Sequence, residues 1–266
     1  MDIKKNKTTI GIIGFGRFGA LAASILSRHF LVKVYHYKNK KENPARAKKI
    51  GVRLTDLKDT LNSDIVILIA PISQTEKIIK EIAPQLKPGC LVMDACSVKV
   101  YPCQWLKKHL PKSVEIMGTH PMFGPTTSKY DFDKQTWDLK KLQIVLCPLR
   151  IKKIRLEKIK KFLKKLDLKV IITTPDDHDR QNAKTLSLVH FVGRSILGAG
   201  IGQQKIYTPG YEDLLRILPH TTSDNWQLFY DMNNYNPYAQ VIRENFLDSC
   251  QTINKKINAF KKNQKN

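Results

Sequence analysis

Short apolar runs alternate with helical patterns along the first two thirds of the chain, and this alternation restricts the possible folds more than any other feature. The strand-like runs are residues 9–13, 31–37, 64–70, 91–95, 114–118, 142–147 and 168–173. The helical patterns between them are residues 18–29, 74–86, 101–110 and 151–166. Such alternation is typical of a parallel sheet covered by helices on both faces. The sequence therefore predicts an N-terminal Rossmann-like α/β domain with a doubly wound, mostly parallel sheet.

The pattern changes after residue 174. From His178 onward the apolar residues recur at helical spacing with almost no strand signal, and Pro209–Gly210 and Pro219 interrupt them. We predict two domains, residues 1–174 and 175–266, of which the second is all-helical, contains at least three helices and ends in a basic tail. A helical domain this short is expected to complete its core against a second copy, so we expect a homodimer formed through it.

The net charge of +23 raises the question of nucleic-acid binding. Much of this charge lies in residues 151–166 and in the last twelve residues, KKINAFKKNQKN. In the first segment the apolar residues share one helical face, which favours a lysine-coated surface helix over a specific nucleic-acid surface. The positive field is still expected to attract anionic small molecules.

Neither a membrane span nor a disulfide framework is indicated. No window approaches the ~20 uninterrupted apolar residues that cross a bilayer. The five cysteines are an odd number without CxxC or zinc-like spacing, which is typical of reduced thiols in a cytoplasmic protein.

GFGRFG, from Gly14 to Gly19, follows a strand-like run and opens a helical one. In the G-x-G-x-x-G motif the first glycine permits a tight turn, the second admits a pyrophosphate, and the third allows close helix–strand packing. The predicted cofactor contacts are Gly14, Phe15, Gly16, Arg17, Phe18, Gly19, Ala70, Pro71, Ser97 and Lys38.

The residues after the second strand bear on the choice of cofactor. An NAD site usually has an acidic residue there to bind the ribose 2′-hydroxyl, but VYHYKNKK contains none. Lys38, Lys40 and Lys41 would instead pair with a 2′-phosphate. The sequence thus favours NADP over NAD, and residues 1–174 are predicted to be an NADP-binding domain.

Two polar residues follow neighbouring strands. Ser97 lies in DACSVK and His120 in GTHPMFGP. Because ligands of such sheets bind at the carboxyl ends of the strands, both side chains are expected to reach one crevice. A histidine and a serine there are candidates for general acid–base catalysis. No further histidine or acid has metal-ligand spacing nearby, so no metal is predicted.

The motifs GFGRFG, SVK, THPMFGP and HFVGR, in this order, resemble the TyrA-type prephenate/arogenate dehydrogenases, and the plant-type arogenate dehydrogenases most closely. The resemblance extends from residue 9 to residue 256 and includes GYEDLLR and DNWQLFYDMNNYN. It implies oxidation of a cyclohexadienol with loss of a carboxylate, which makes the ring aromatic. His120 would accept the proton of the ring hydroxyl while hydride passes to NADP, and Ser97 would hydrogen-bond that hydroxyl or His120.

The resemblance also implies residues for an anionic substrate. Arg216 matches the carboxylate-binding arginine of the family, and His190 matches its helical-domain histidine. Asp213 would orient Arg216, and Trp226 would line the pocket that binds the ring. Asp224 lies where plant-type arogenate enzymes have an acid, which would favour the ammonium group of arogenate over prephenate.

The sequence departs from the plant-type pattern at two places. Thr126–Thr127 replaces the Glu–Ser usual in plant-type members, and DNWQLF replaces a more typical DSFDLY.

His178, in DDHD, would suggest a metal site if the motif were considered alone, but we interpret it as part of a helix-capping segment with Asp176 and Asp177.

Several alternatives remain open at this point. The same layout could belong to a prephenate dehydrogenase that yields 4-hydroxyphenylpyruvate, or to another NADP-dependent reductase such as a β-hydroxyacid dehydrogenase. A non-catalytic NADP-binding sensor would not need His120 and Ser97. A nucleic-acid-binding protein on a Rossmann scaffold would show salt-sensitive binding.

Overall fold

A computed structural model describes residues 6–37, 43–131 and 136–263. The chain divides into two compact units, one ending at His178 and the other beginning at Asp179. The predicted domain boundary, after residue 174, lies slightly earlier than this division.

The first unit contains one large sheet. Its strands are β1 (Asn6–Ile13), β2 (Phe30–Tyr35), β3 (Arg53–Leu54), β4 (Ile65–Leu68), β5 (Leu91–Asp94), β6 (Glu115–Pro121), β9 (Gln143–Arg150) and β10 (Lys169–Ile172). A separate two-stranded sheet consists of β7 (Lys129–Asp131) and β8 (Thr136–Asp138). Its helices, with a 3₁₀ turn at Ala83–Gln85, are α1 (Arg17–Leu26), α2 (Asn43–Lys49), α3 (Leu57–Leu61), α4 (Ile72–Ile82), α5 (Val100–His109), α6 (Lys153–Lys165) and α7 (Pro175–Asn182), the last of which continues into the second unit.

Among the described residues the large sheet has the order β10–β9–β6–β5–β4–β1–β2–β3. The six strands from β3 to β6 are all parallel and follow the order 3-2-1-4-5-6 of doubly wound dinucleotide-binding sheets. The predicted mostly parallel α/β class is confirmed. The carboxyl ends of β1, β4, β5 and β6 therefore share one edge of the sheet.

The end of the sheet differs from the predicted pattern in one respect. β9 runs antiparallel to β6, and β10 returns parallel to β9 after α6. The antiparallel pairing continues past the predicted end of β6, because His120 pairs with Val145 and Pro121 with Ile144. His120 is therefore inside the strand, where its backbone is fixed, and not in the segment after it as predicted.

The buried apolar residues of the first unit form several clusters around the sheet. In α4, Ile72, Ile78, Ile79 and Ile82 are buried at helical spacing and pack towards the sheet. In α6 the apolar residues are half-buried except for Ile154, which is 67% exposed, and most of the lysines are exposed. β3, β7 and β8 were not predicted, because strands of two or three residues are too short to show a period.

The second unit is helical, as predicted. A π-helical segment, Ala183–Ser187, is followed by α8 (Leu188–Gly198), α9 (Pro209–Leu215), α10 (Leu218–Thr222), α11 (Trp226–Asn234) and α12 (Ala239–Asn263). Close packing of α8 on α10 requires Gly193, since a Cβ there would lie 2.1 Å from Oγ1 of Thr221. This contact brings the α8 residues around His190 against α10. None of the described helices is long and apolar enough to cross a bilayer.

Candidate active site

The loop between β1 and α1 has the shape that a dinucleotide pyrophosphate requires. Gly14 has a φ of +118°, and a Cβ there would lie 1.8 Å from the carbonyl oxygen of Ile69. A Cβ at Gly19 would lie 2.2 Å from the carbonyl oxygen of Gly14. At Gly16, by contrast, no described atom lies within 4 Å of the Cβ position. The first and third glycines are thus required by the protein itself, whereas the second leaves open space for a ligand.

The other predicted cofactor residues surround this loop. α1 begins at Arg17 with Gly16 as its N-cap, so its first amides are available to a phosphate. Phe15 is buried, Arg17 is exposed, and Phe18 packs edge-on against Phe123.

Two further predicted cofactor residues follow the neighbouring strand. Ala70 and Pro71 come after β4, which pairs with β1, and Pro71 is the N-cap of α4. They therefore lie at the same edge of the sheet as the glycine loop.

Lys38, Lys40 and Lys41 lie outside the described residues. A different cation lies at the glycine loop. Arg46, on α2, donates from Nη1 to the carbonyl oxygen of Phe15 and from Nη2 to that of Gly16, both at 3.4 Å, and its Cζ is 5.2 Å from the centroid of the Phe15 ring. Arg46 was not predicted as a site residue, because nothing in NPARAKK separates it from the basic residues beside it.

His120 is buried with only 6% of its surface exposed, and its Nδ1 lies 2.9 Å from Nε2 of His178. The two rings meet edge to face, at 5.1 Å between centroids and 66° between planes. Burial, with smaller contributions from His178 and Lys99, holds the pKa of His120 well below its usual value. His120 is therefore neutral at neutral pH, as a proton acceptor must be.

A buried ion pair is hydrogen-bonded to Thr119, the residue before His120. Asp94, the last residue of β5, pairs with Nζ of Lys99, and both side chains are fully buried. Lys99 also donates to the carbonyl oxygen of Thr119 at 2.7 Å, and Thr119 donates from its amide to Asp94 at 3.3 Å. Burial lowers the pKa of Lys99, but the Asp94 carboxylate outweighs it and keeps Lys99 charged. The pair thus ties the residue before His120 to the loop that contains Ser97.

Ser97 lies half-buried in that loop, between Asp94 and Lys99. Asp94 also accepts from the amide of Cys96 at 2.9 Å, which fixes the backbone just before Ser97. Ser97 thus follows β5 and His120 lies near the carboxyl end of β6, and the backbone next to each is held by the hydrogen bonds of Asp94 and Lys99. The sequence analysis noted SVK as a motif but assigned no role to its lysine.

The interpretation of His178 as part of a helix cap was wrong. α7 begins at Pro175, and its first turn is capped by Thr174, whose Oγ1 accepts from the amide of Asp177 at 3.2 Å. Asp176 and Asp177 are inside the helix, and His178 turns its ring to His120. The two histidines are 58 residues apart. Sequence spacing alone could not pair them.

In the second unit, three of the predicted substrate residues lie around Arg194. Its Nη2 donates to the carbonyl oxygen of Asp224 at 2.7 Å, and its Cζ is 4.3 Å from the centroid of Trp226. Asp224 also acts electrostatically on His190, where it opposes the lowering of the pKa by burial. Arg194 is the last residue of HFVGR, so it was part of a recognised motif but was not selected.

This cluster contains buried polar atoms without a hydrogen-bond partner among the described residues. They are Nδ1 of His190 and Nε of Arg194. His190 is only 6% exposed, and burial lowers its pKa. Unpartnered buried donors and acceptors are rare in folded proteins and often mark a ligand site.

Arg216 and Asp213 form a separate, open pair. Nη1 of Arg216 is 3.2 Å from Oδ1 of Asp213, and the side chains are 75% and 67% exposed. Asp213 lies in α9 and Arg216 is its C-cap. The structure therefore joins these two residues as predicted by the resemblance, but on an exposed helix end.

No group of three or more possible metal ligands occurs within the described part of the chain. His120 and His178 form a pair only, and their facing nitrogens are already engaged with each other.

Comparison with known proteins gives a consistent result. Residues 21–172 match the family model "Prephenate dehydrogenase, nucleotide-binding domain", and residues 196–266 match "TYRAAT1-like, C-terminal domain". The chain is 34% identical to a probable arogenate/prephenate dehydrogenase of Methanocaldococcus jannaschii, in an alignment that covers 77% of this chain and 47% of the archaeal protein. It is 30% identical to arogenate dehydrogenase 2, chloroplastic, of Arabidopsis thaliana, over 96% of this chain and 71% of the relative.

The chain thus spans about half the length of the archaeal relative and more than two thirds of the plant one. Among solved structures, prephenate dehydrogenase from A. aeolicus in complex with hydroxyphenyl propionate and NAD+ superposes with a TM-score of 0.72 at 21% identity, covering 96% of this chain and 92% of that one. At this identity the superposition shows a shared fold.

Proposed function

The chain belongs to the prephenate dehydrogenase family, and from this premise we propose that it oxidises arogenate to tyrosine, with loss of carbon dioxide and transfer of a hydride to NADP. The observation that carries the proposal is the burial and neutral state of His120. It is a buried histidine kept neutral at the carboxyl end of β6, on the same sheet edge as a glycine loop that leaves space for a dinucleotide.

The residues of the chain have distinct roles in this reaction. Gly14, Gly16 and Gly19 with the first amides of α1 would hold the pyrophosphate, and the bound nicotinamide supplies the hydride acceptor. His120 would take the proton of the ring hydroxyl as the carbon–hydrogen bond of the same carbon breaks. Ser97 would hydrogen-bond that hydroxyl and orient it.

A neutral base suits this proton transfer. An imidazolium has no lone pair, so a histidine charged at neutral pH could not accept the hydroxyl proton. The low pKa of His120 keeps the lone pair available. Loss of the substrate carboxylate then leaves an aromatic ring, which makes the reaction irreversible.

Arg46 supports NADP as the cofactor. In Rossmann sites an arginine near the cofactor can accommodate the 2′-phosphate of NADP, and Arg46 donates to two carbonyl oxygens of the glycine loop. Its planar fork can hold a phosphate through two hydrogen bonds.

The NADP proposal can be tested with one pair of variants. Arg46→Met should raise KM for NADP by about 10- to 100-fold, the value of a hydrogen bond to a charged group, and leave KM for NAD unchanged. Lys48→Met removes the same charge from an exposed position on α2 and is the control. Equal effects of Arg46→Met on both cofactors would contradict a 2′-phosphate role.

Asp224 supports arogenate as the substrate. Its carboxylate acts electrostatically on the buried His190, whose Nδ1 has no partner among the described residues. An acid in the substrate pocket pairs with the ammonium group of arogenate and repels prephenate, which carries a keto group there.

A homodimer formed through the helical unit remains a proposal. α12 exposes large apolar side chains, among them Ile253, Ile257 and Phe260, at helical spacing. Such a stripe is more extensive than a surface helix of a monomer needs. Sedimentation equilibrium of the full chain would establish the mass, and a monomer at micromolar concentration would contradict the proposal.

The function itself is tested by following the absorbance of the reduced nicotinamide with arogenate or prephenate, each with NADP or NAD. The proposal predicts the fastest reduction with arogenate and NADP. Faster reduction with prephenate would keep the role of His120 and contradict that of Asp224. A protein that binds NADP and reduces it with neither substrate would be the non-catalytic sensor.

A further inference from the structure

The contact between His120 and His178 has a consequence for the reacting atom. Each neutral imidazole carries one N–H and one lone pair, and the 2.9 Å between Nδ1 of His120 and Nε2 of His178 leaves room for one proton. Either His120 donates this proton, and its Nε2 then carries a lone pair, or His178 donates it, and Nε2 of His120 carries a hydrogen. Only the first arrangement makes Nε2 of His120 a base.

We propose that His178 is a positioning residue, which accepts the Nδ1 proton of His120 and thereby holds His120 in the tautomer with a basic Nε2. The inference rests on the proposed function only for the chemistry of Nε2. The hydrogen bond itself is a feature of the resting protein.

The surroundings of the pair favour a neutral acceptor over a carboxylate. Lys99, the N-cap of α5, is a charged group that acts on His120, and its own charge is compensated by Asp94 and the carbonyl oxygen of Thr119. A carboxylate at residue 178 would raise the pKa of His120, whereas His178 contributes to lowering it. His178 can therefore set the tautomer of His120 without making it charged at neutral pH.

The position of His178 is itself fixed by α7. Its amide donates to the carbonyl oxygen of Thr174 at 3.0 Å, inside the first turn that Thr174 caps. The side chain is 4% exposed, so water does not compete for Nε2. A buried acceptor on a capped helix is thus aimed at a buried strand residue, which is an arrangement that preorganises the base.

Substitution at residue 178 separates this role from packing. In His178→Gln the amide oxygen can replace Nε2 as an acceptor, and kcat should remain within about 2-fold of the parent. In His178→Phe the ring shape is kept and the acceptor is lost, and kcat should fall by about 10-fold with KM for arogenate unchanged. His109→Phe, on α5 and paired with Glu76, is the control for loss of a histidine elsewhere.

Three outcomes would overturn the proposal: an unchanged kcat in His178→Phe, an equal loss in His178→Gln and His178→Phe, or a loss confined to KM. Each would mean that an acceptor at residue 178 does not set the base.

A second measurement keeps the proposal falsifiable if these variants do not fold or if the chain oxidises neither substrate. In ¹⁵N-histidine-labelled parent protein, nuclear magnetic resonance distinguishes a protonated Nδ1 from a protonated Nε2. The proposal predicts that His120 carries its proton on Nδ1, and that the signal disappears in His120→Asn. A proton on Nε2 of His120 would overturn the proposal, whether or not the protein is a dehydrogenase.

Discussion

The two polar clusters of the molecule differ in how fully their groups are partnered. Around His120, the imidazole is hydrogen-bonded to His178, and the Asp94–Lys99 pair is hydrogen-bonded to Thr119, all at buried positions. Around Arg194, by contrast, its own Nε and the Nδ1 of His190 are buried without a partner among the described residues.

The difference fits two separate tasks. A base must be held in one geometry and one protonation state before the substrate arrives, which requires complete internal hydrogen bonding. A binding site gains affinity when the ligand satisfies groups that the protein leaves open. The first cluster is therefore expected to govern kcat and stability, and the second to govern KM. Four predictions test this division.

The largest effect is expected for His120→Asn. The amide of asparagine can still donate to His178, so the fold should persist, but no base remains. We expect kcat to fall by about 10³-fold, the usual contribution of a general base. His109→Asn is the matched control. A loss of less than 10-fold would mean that another group takes the proton.

Next in size is the effect of Lys99→Met on stability. This substitution leaves the Asp94 carboxylate buried without its cation, and breaking such a pair costs about 3 kcal/mol or more. Chemical denaturation of the variant and the parent measures this difference. Asp94→Asn together with Lys99→Met removes both charges and should recover much of the loss. No recovery would show that packing of Lys99, and not its charge, stabilises the unit.

A smaller effect on binding is expected for Arg216→Met. The Asp213–Arg216 pair is too exposed to stabilise the fold measurably, so the thermal midpoint should not change. If Arg216 binds the substrate carboxylate, KM should rise by about 10- to 100-fold at constant kcat. Arg194→Met tests the alternative carboxylate ligand in the same assay. A rise in KM only for Arg194→Met would assign that role to the buried cluster.

The smallest effect concerns pH. Burial lowers the pKa of both His120 and His190, so near pH 6 the unfolded chain binds protons at these residues that the folded chain does not. Stability is therefore fully present above about pH 6.5 and decreases as the pH falls below it. Unfolding in denaturant at about pH 7 and pH 5 should show this decrease, and His120→Asn should reduce it. If the stability difference between the two pH values is the same in His120→Asn as in the parent, the low pKa of His120 is contradicted.

The sequence predicted the part of this account that depends on local pattern. The parallel sheet, the glycine loop and the helical second unit follow from periodicity and from the spacing of Gly14, Gly16 and Gly19. Ser97 and His120 were selected because each was predicted to follow a strand at the edge of the sheet where ligands bind.

Residues that act through distant contacts were missed. His178 pairs with a residue in another element, and a capping motif offered a simpler local explanation. Lys99 and Arg194 are part of recognised motifs, but their roles depend on a buried carboxylate and on two aromatic rings brought close by folding. Arg46 is one basic residue among several in NPARAKK. In each case the decisive information is a tertiary distance, which no spacing along the chain encodes.

The most direct test of the central claim is to measure carbon dioxide and reduced nicotinamide together, with carboxylate-labelled arogenate and NADP. The account predicts that both form in equal amounts, and that both are lost together in His120→Asn, because one base serves one coupled reaction. Reduction without release of carbon dioxide would contradict oxidative decarboxylation. Full activity in His120→Asn would contradict the site.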